Sequence, residues 1–306
     1  MPDGEVDLST PVRNINLRPR RVAQCAEKDD HDVSYFCPVL NLSDPSTVDE
    51  ALSSTHVVQW KRAMKEEYDS LMKNKTWTLV ALPPDKRALP CKWVYKSKTN
   101  EKGDIVRFKA RLVIKGCAQR KGIDYDEVYA PVVRYASVRY LLALAAKYDL
   151  EMIQMDAISA FLQGDIDTEI YMSQPECYKE SDQVCHLHKS IYGLKQASRQ
   201  WNMKLNNVLL KIGLKRSKID PCIYYCVNET KMTFIAVWVD DFMIFTNDCE
   251  RATNIKEKLK REFCMKDLGE IQQCIGINIS RNREAGEIML DQEKYIKQLL
   301  ERFGMS

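Results

Sequence analysis

The chain lacks the features that would place it in a membrane, a secretory route or a disulfide-stapled fold. No apolar run reaches ten residues, well short of the roughly 20 needed to cross a bilayer. The N-terminus, Met1-Pro-Asp-Gly-Glu-Val-Asp7, is acidic and has no apolar segment, which excludes a secretory signal. There is no internal repeat, no low-complexity tract, no glycine-rich phosphate loop and no Cys-x-x-Cys pair. Histidine is scarce, with four residues. Cys185-His-Leu-His188 together with Cys177 offers zinc-type ligands, but the spacing matches no common structural zinc site. The eleven cysteines are scattered and odd in number, which points to reduced thiols in an intracellular protein. Cys222 and Cys226 are expected on one face of a strand, as buried free thiols.

What is present is the composition of an ordinary globular protein: 306 residues, 45% apolar and 29% charged, enough for one large or two ordinary domains. The net charge of +3 says little, but its distribution says more. Between Lys86 and Lys121 twelve Lys or Arg face two acids, Glu101 and Asp104. Such a block suits contact with a polyanion, or else forms a solvated basic face.

Residues 1–48 carry an Arg-rich patch (Arg18, Arg20, Arg21) with scattered Pro, Asp and Ser and no sustained periodicity, and read as a disordered tail or linker. Order is expected from Asp49. Trp60, Met64, Tyr68, Leu71 and Met72 fall at helical spacing. Thr76–Val80, Lys92–Lys96 and Ile105–Ile114 read as strands, the last two joined by a turn at Asn100–Asp104 in which Gly103 takes positive φ. The basic residues therefore sit largely on a β-hairpin. Ser137–Tyr148 reads as a helix capped by Ser137, Leu150–Met155 as a strand, and Ser159–Leu162 as the start of a helix. Gln196–Ile212 is helical with Trp201, Leu205, Leu209 and Ile212 in phase. Thr233–Thr246 is a long apolar hairpin, and Ile255–Phe263 and Gln292–Phe303 are helices. The mixture is α+β, without the strict alternation of a doubly wound fold.

The most informative stretch is Phe234-Ile-Ala-Val-Trp-Val-Asp-Asp-Phe-Met-Ile-Phe245. Two adjacent aspartates interrupt an apolar run. Aspartate is depleted in strands, and a buried unpaired carboxylate is costly. The pair needs a turn, a counter-charge or a metal. A tight turn at Val239-Asp240-Asp241 would hold both carboxylates at a hairpin tip. A second apolar strand ends in Asp156, just before a helix. Alone, Asp156 reads as a helix cap. Beside Asp240 it would be the other half of a metal site, and oxygen-only ligation suits Mg²⁺ or Mn²⁺.

A strand-end Asp followed by an Asp-Asp hairpin is a polymerase palm signature, and the surrounding text resembles the reverse transcriptase of Copia-type LTR retrotransposons. The matching segments are Lys75-Thr-Trp-Thr-Leu-Val80, Lys92-Trp-Val-Tyr-Lys96, Phe108-Lys-Ala-Arg-Leu-Val-Ile-Lys-Gly116, Gly122-Ile-Asp-Tyr125 and Tyr129-Ala-Pro-Val132. They continue with Gln154-Met-Asp156, Ala160-Phe-Leu-Gln-Gly164, Ile170-Tyr-Met172, Ile191-Tyr-Gly-Leu-Lys-Gln-Ala197 and Asp267-Leu-Gly269. Their order and spacing hold from Asp49 to Gly304. Trp238 stands where the family usually has Tyr, and Ser198 where it has Pro. Ala157-Ile158-Ser159 replaces more polar text.

The resemblance implies a right-hand polymerase fold with an antiparallel palm sheet packed on helices. Fingers and palm would occupy residues 49–262, and a primer grip and partial thumb residues 263–306. It implies RNA-directed DNA synthesis from dNTPs on an RNA or DNA primer-template, with two Mg²⁺ or Mn²⁺ ions held by Asp156, Asp240 and Asp241. Lys109 and Arg111, two apart on the fingers hairpin, would hold the triphosphate. Phe161 would lie under the incoming sugar as a gate against ribonucleotides, and Gln196 would line the dNTP site. Lys92, Lys96, Lys115, Lys195, Arg199, Trp238, Leu268 and Gly269 would contact nucleic acid. Trp201 is expected in the core. The expected setting is intracellular, in a cytoplasmic virus-like particle or the nucleus, with no membrane partner. The family's integrase and RNase H regions are not in this chain, so a truncated transposon copy or partial gene is expected. An inactive remnant that keeps the fold and binds nucleic acid is the alternative.

Overall fold

The computed structural model describes residues 44–100 and 104–305, all within the unit Ser34–Ser306. Most of the expected tail, including the Arg-rich patch, lies outside the described residues. Its end does not: Asp44 accepts the Ser97 N–H at 2.9 Å and pairs with Lys96 at 3.3 Å. Helix α1 (Val48–Ser53) is capped by Thr47, whose hydroxyl accepts the Glu50 N–H. Helix α2 (Val57–Lys73) buries Trp60, Ala63, Met64 and Leu71. Met72, expected in the same stripe, lies one position further round the helix and is exposed.

Strands β1 (Trp77–Val80) and β2 (Ala88–Leu89) precede the long hairpin of β3 (Cys91–Thr99) and β4 (Ile105–Ile114). Alternation divides that hairpin into two faces. Trp93, Tyr95 and Ser97 are buried with Ala110, Leu112 and Ile114, and Trp60 of α2 meets Tyr95 and Phe108 edge-on at 5.3 and 4.7 Å. Asn100 and Asp104 close the hairpin end through reciprocal hydrogen bonds. Gly103 lies outside the described residues.

Helix α3 (Tyr135–Tyr148) begins two residues before the expected start. Ser137 is therefore inside its first turn and does not cap it. Its hydroxyl donates to Asp220 at 2.6 Å, and Asp220 also accepts the Arg134 N–H. Strand β5 (Glu151–Ala157) leads into the short α4 (Ala160–Gln163). After β6 (Tyr171–Met172) and β7 (Val184–Leu187), helix α5 (Ala197–Lys211) buries Trp201, Leu205 and Leu209 as expected. Strands β8 (Lys215–Arg216), β9 (Ile223–Val227), β10 (Met232–Trp238) and β11 (Asp241–Thr246) follow. Helix α6 (Cys249–Glu262) is longer than expected because Asp248 caps it through the Arg251 N–H. The described chain ends with β12 (Met265–Glu270), β13 (Gln273–Cys274), β14 (Ile277–Asn282), β15 (Glu287–Asp291) and α7 (Glu293–Arg302).

The central sheet has six antiparallel strands in the order β12-β5-β11-β10-β9-β8. Both of its faces are covered. Met152, Ala236, Met243 and Phe245 pack with α3 residues Val138, Leu141 and Leu142 and with Ile277 and Ile279. Met155, Ala157, Ile235, Phe242 and Ile244 pack with Trp201, Leu205, Ile255 and Leu259 of α5 and α6. This is the expected α+β arrangement of an antiparallel sheet on helices. A third core holds α2, the β3–β4 hairpin and the small sheet β1-β7-β6-β2 together. Cys222 and Cys226 are not on one face: Cys222 joins the α3 side and Cys226 the α5–α6 side, because β9 begins only at Ile223, after a turn.

The loop between β7 and α5 is pinned to the end of β4. Ile114 donates its N–H to the Tyr192 carbonyl at 2.9 Å. Gly193 has φ +92, and a Cβ there would lie 2.1 Å from the Ile114 carbonyl oxygen. Gly193→Ala is therefore expected to destabilise the protein by about 2 kcal/mol or more, through both strain and overlap. Urea unfolding measures this, and an unchanged midpoint would contradict the close approach.

Candidate active site

Strand register gathers the acids. Asp241, the first residue of β11, is paired directly with Asp156 on β5, so the two side chains share one face of the sheet. Asp156 is thus a strand residue and not a helix cap; Ser159 holds the N-cap position of α4. Asp240 lies between β10 and β11 in a two-residue turn, with Trp238 paired to Asp241. Val239, the first turn residue, has φ +52, a costly conformation for a β-branched side chain. Two hydrogen bonds hold the turn. The Trp201 indole N–H donates to the Val239 carbonyl at 2.7 Å, and the Ala157 N–H to the Asp240 carbonyl at 2.8 Å. Trp201 is a core residue, as expected, but it also braces the turn that carries Asp240.

The three carboxylates are half-buried and repel one another. Burial first, then the Asp240 charge, raises the Asp156 carboxyl above its usual range. The same two causes push Asp241 up to about 6, although Gln154 donates to its Oδ1 at 3.2 Å. Both neighbours therefore feel Asp240. Lys266 on β12 is paired directly with Asp156 on its other side and partly offsets this charge. Lys266 stands inside Met265-Lys-Asp-Leu-Gly269, but its pairing with Asp156 is set by strand register and has no local sequence signal. Among the described residues no group of three His, Cys, Asp or Glu side chains converges on one point as a metal site. The donor chemistry nonetheless fits a hard divalent cation: all-oxygen, half-buried, and short of positive charge.

The exposed face of the β3–β4 hairpin carries the cations. Lys96 is directly opposite Lys109, and Lys98 opposite Arg107. Like charges paired in this way destabilise a sheet unless an anion relieves them. Lys96 meets Asp44. Lys109 is half-buried, and its ammonium is pushed below the usual range by burial and then by Arg111. The charges of Lys109 and Lys98 reach Asp156 and lower its carboxyl, so hairpin and carboxylates share one field. Arg111 lies over the Tyr192 ring at 4.5 Å, and Tyr192 meets Phe161 edge-on at 5.0 Å. On α2, burial raises the Glu67 carboxyl against the Leu112 N–H and the Arg111 and Lys109 charges, and its Oε1 has no hydrogen-bond partner.

The other expected contact residues are less concentrated. Lys92 and Lys115 are exposed on and just after the hairpin. Lys195 donates to the Tyr125 hydroxyl, and Arg199 pairs with Glu127. Gln196, expected to line the dNTP site, is 1% exposed. Its amide donates to the Asp124 carbonyl at 2.8 Å and accepts from Gln119 at 3.0 Å, so it braces the loop from inside. Trp238 packs near Tyr135 on the α3 side. Leu268 and Gly269 are exposed at a bulge in β12, where Gly269 has φ +78. His186 stacks on Tyr171, and His188 bonds Thr78. Among the described residues no helix is long and apolar enough to cross a membrane.

Residues 74–306 match the family described as reverse transcriptase (RNA-dependent DNA polymerase), and the chain belongs to that family. Within it, the chain is similar to Copia-type transposon polyproteins. It is 45% identical over 266 residues to the retrovirus-related Pol polyprotein from transposon TNT 1-94 of Nicotiana tabacum, covering 86% of this chain and 20% of that one. It is 33% identical over 305 residues to the Pol polyprotein from transposon RE2 of Arabidopsis thaliana, covering 98% of this chain and 20% of that one. The chain thus spans about a fifth of these relatives. A foamy viral protease-reverse transcriptase, solved with double-stranded DNA, aligns with 78% of this chain and 36% of its own at 12% identity and a TM-score of 0.42. That likeness is too distant to bear on function.

The raised Asp241 carboxyl makes a pH-dependent stability test. The folded chain binds this proton more tightly than the unfolded one, whose value is near 3.8. The ionised group's destabilising effect is therefore absent below about pH 4 and complete above about pH 6. Asp241→Asn is expected to raise stability at about pH 7.5 by on the order of 1 kcal/mol after solvent screening, a gain that fades toward about pH 4. Melting curves across this range check it; a variant no more stable than wild type at the upper end would contradict the burial argument.

Proposed function

We propose that this chain is the polymerase core of a Copia-type Pol polyprotein and catalyses RNA-directed DNA synthesis. The observation that carries the reading is the cross-strand placement of Asp156 beside Asp241, with Asp240 on the adjoining turn, under the field of a cationic hairpin. In this reading the β3–β4 hairpin belongs to the fingers and the six-stranded sheet is the palm. Residues 263–306 form the primer grip and the start of a thumb.

The primer 3′-hydroxyl gives up its proton to water as its oxygen bonds to the α-phosphorus of a dNTP. The bond from that phosphorus to the pyrophosphate oxygen breaks, and its electron pair leaves with pyrophosphate. Two Mg²⁺ or Mn²⁺ ions, when bound by Asp156 and Asp240 with help from Asp241, would lower the charge on the attacking and leaving oxygens. Lys109 and Arg111 would grip the triphosphate, the planar Arg contacting two oxygens at once. Phe161 would pack under the sugar and exclude a 2′-hydroxyl. Lys92, Lys96, Lys98 and Lys115 would follow the template phosphates, making binding strongly salt-dependent. The partners are primer-template, dNTPs and other Pol regions, in a cytoplasmic particle or the nucleus.

Extension of a primed RNA template with Mg²⁺ or Mn²⁺ tests the reading. Wild type should incorporate dNTPs, and Asp240→Asn should lose activity by about a thousandfold, equivalent to roughly 4 kcal/mol. Arg111→Ala should raise the KM for dNTP by about tenfold or more, the loss of a charged hydrogen bond. A folded wild type that binds primer-template and extends nothing would overturn the enzyme reading and leave a nucleic-acid-binding remnant.

A further inference from the structure

We infer that Tyr192 is a positioning residue for the incoming nucleotide, its ring setting the triphosphate grip and the sugar platform relative to each other. The inference rests on the polymerase reading above, which places Arg111 at the triphosphate and Phe161 beneath the sugar. The Arg111 guanidinium carbon lies 4.5 Å from the centre of the Tyr192 ring. On another side the same ring meets Phe161 at 5.0 Å, with 66° between the planes. One half-buried aromatic therefore touches both groups that would read the nucleotide.

The chemistry of each contact is specific. A ring face holds a guanidinium by its charge and offers it no oxygen acceptor, so Arg111 keeps hydrogen-bonding capacity for phosphate oxygens. An edge-on pair fixes the tilt of both rings through their quadrupoles. Phe161 is thereby held in the orientation that a sugar would meet.

The backbone beneath Tyr192 cannot drift. Its carbonyl accepts the Ile114 N–H at 2.9 Å, three residues beyond Arg111 on the same strand. A Cβ on Gly193 would lie 2.1 Å from the Ile114 carbonyl oxygen, and one on Gly116 would lie 2.1 Å from the Gly193 carbonyl oxygen. Two glycines thus let the loop press against the strand end, and Tyr192 is carried with β4. Phe161 in turn packs between the core of the hairpin and that of the central sheet. The ring of Tyr192 joins Arg111 on β4 to Phe161.

Single-nucleotide incorporation of dATP and of ATP on a primed RNA template, with the full chain, tests this in wild type, Tyr192→Leu and Tyr192→Phe. Losing the ring in Tyr192→Leu should raise the KM for dATP about tenfold and lower the preference for dATP over ATP about tenfold, with kcat for dATP within about twofold. Tyr192→Phe, which keeps the ring, should stay within about twofold of wild type on both readouts. A Tyr192→Leu protein that melts like wild type and keeps both its KM and its preference would overturn the inference while leaving the polymerase reading intact. So would a Tyr192→Phe protein as impaired as Tyr192→Leu, since the hydroxyl and not the ring would then be at work. If Tyr192→Leu fails to fold, Tyr192→Met replaces it, and failure of both makes the ring a core element and overturns the positioning role. A wild type that neither extends primers nor binds dATP removes both readings together.

Discussion

Mutual repulsion among three carboxylates is the constraint around which this structure is organised. The pairing of β5 with β11 puts Asp156 and Asp241 side by side, and the turn before β11 adds Asp240. No folding chain gains stability from such a cluster in isolation. The surrounding structure imposes it: a sheet covered on both faces, a Val239 backbone in the left-handed region, and a buried indole that grips the turn. Strain and charge repulsion are concentrated in a few residues, and the packed core on either side supplies the stability that tolerates them.

The cationic hairpin is the counterpart of this arrangement. Lys96 opposite Lys109 and Lys98 opposite Arg107 set like charges side by side, as the aspartates do, although Asp44 relieves Lys96. The two clusters carry opposite charge, and the pull of Lys109 and Lys98 on Asp156 shows that they share one field. In the proposed function, a triphosphate accompanied by divalent cations would satisfy both, its oxygens at the hairpin and its metals at the acids. Lys266, paired with Asp156 on the opposite side, trims the excess negative charge without cancelling it.

Much of this was legible in the sequence, for physical reasons that differ by element. The hairpin strands, α5 and the Thr233–Thr246 hairpin follow from local alternation and helical phase, and they stand where expected. The Asp-Asp interruption of an apolar run marked the turn because acids in such a place need an explanation. Contacts set by register across long separations were not legible. Lys266 opposite Asp156, the Trp201 indole on Val239, and Tyr192 between Arg111 and Phe161 all depend on tertiary pairing. Local rules also lost to tertiary ones. Ser137 has the chemistry of a cap, but Asp220 claims its hydroxyl. Gln196 reads as a polar contact residue, but Gln119 and Asp124 hold its amide inside. Asp44, in compositionally tail-like text, is tied to β3 by Lys96 and Ser97.

The proposed role of the carboxylate cluster, to hold divalent cations, is tested most simply by direct counting of bound Mn²⁺. The electron spin resonance signal of free Mn²⁺, titrated with wild-type protein, should fall as ions bind in the presence of dNTP. Asp156→Asn and Asp240→Asn proteins that melt no lower than wild type should leave most of that signal in place. Equal Mn²⁺ binding by wild type and both variants would contradict the account, since the ions would then be held elsewhere.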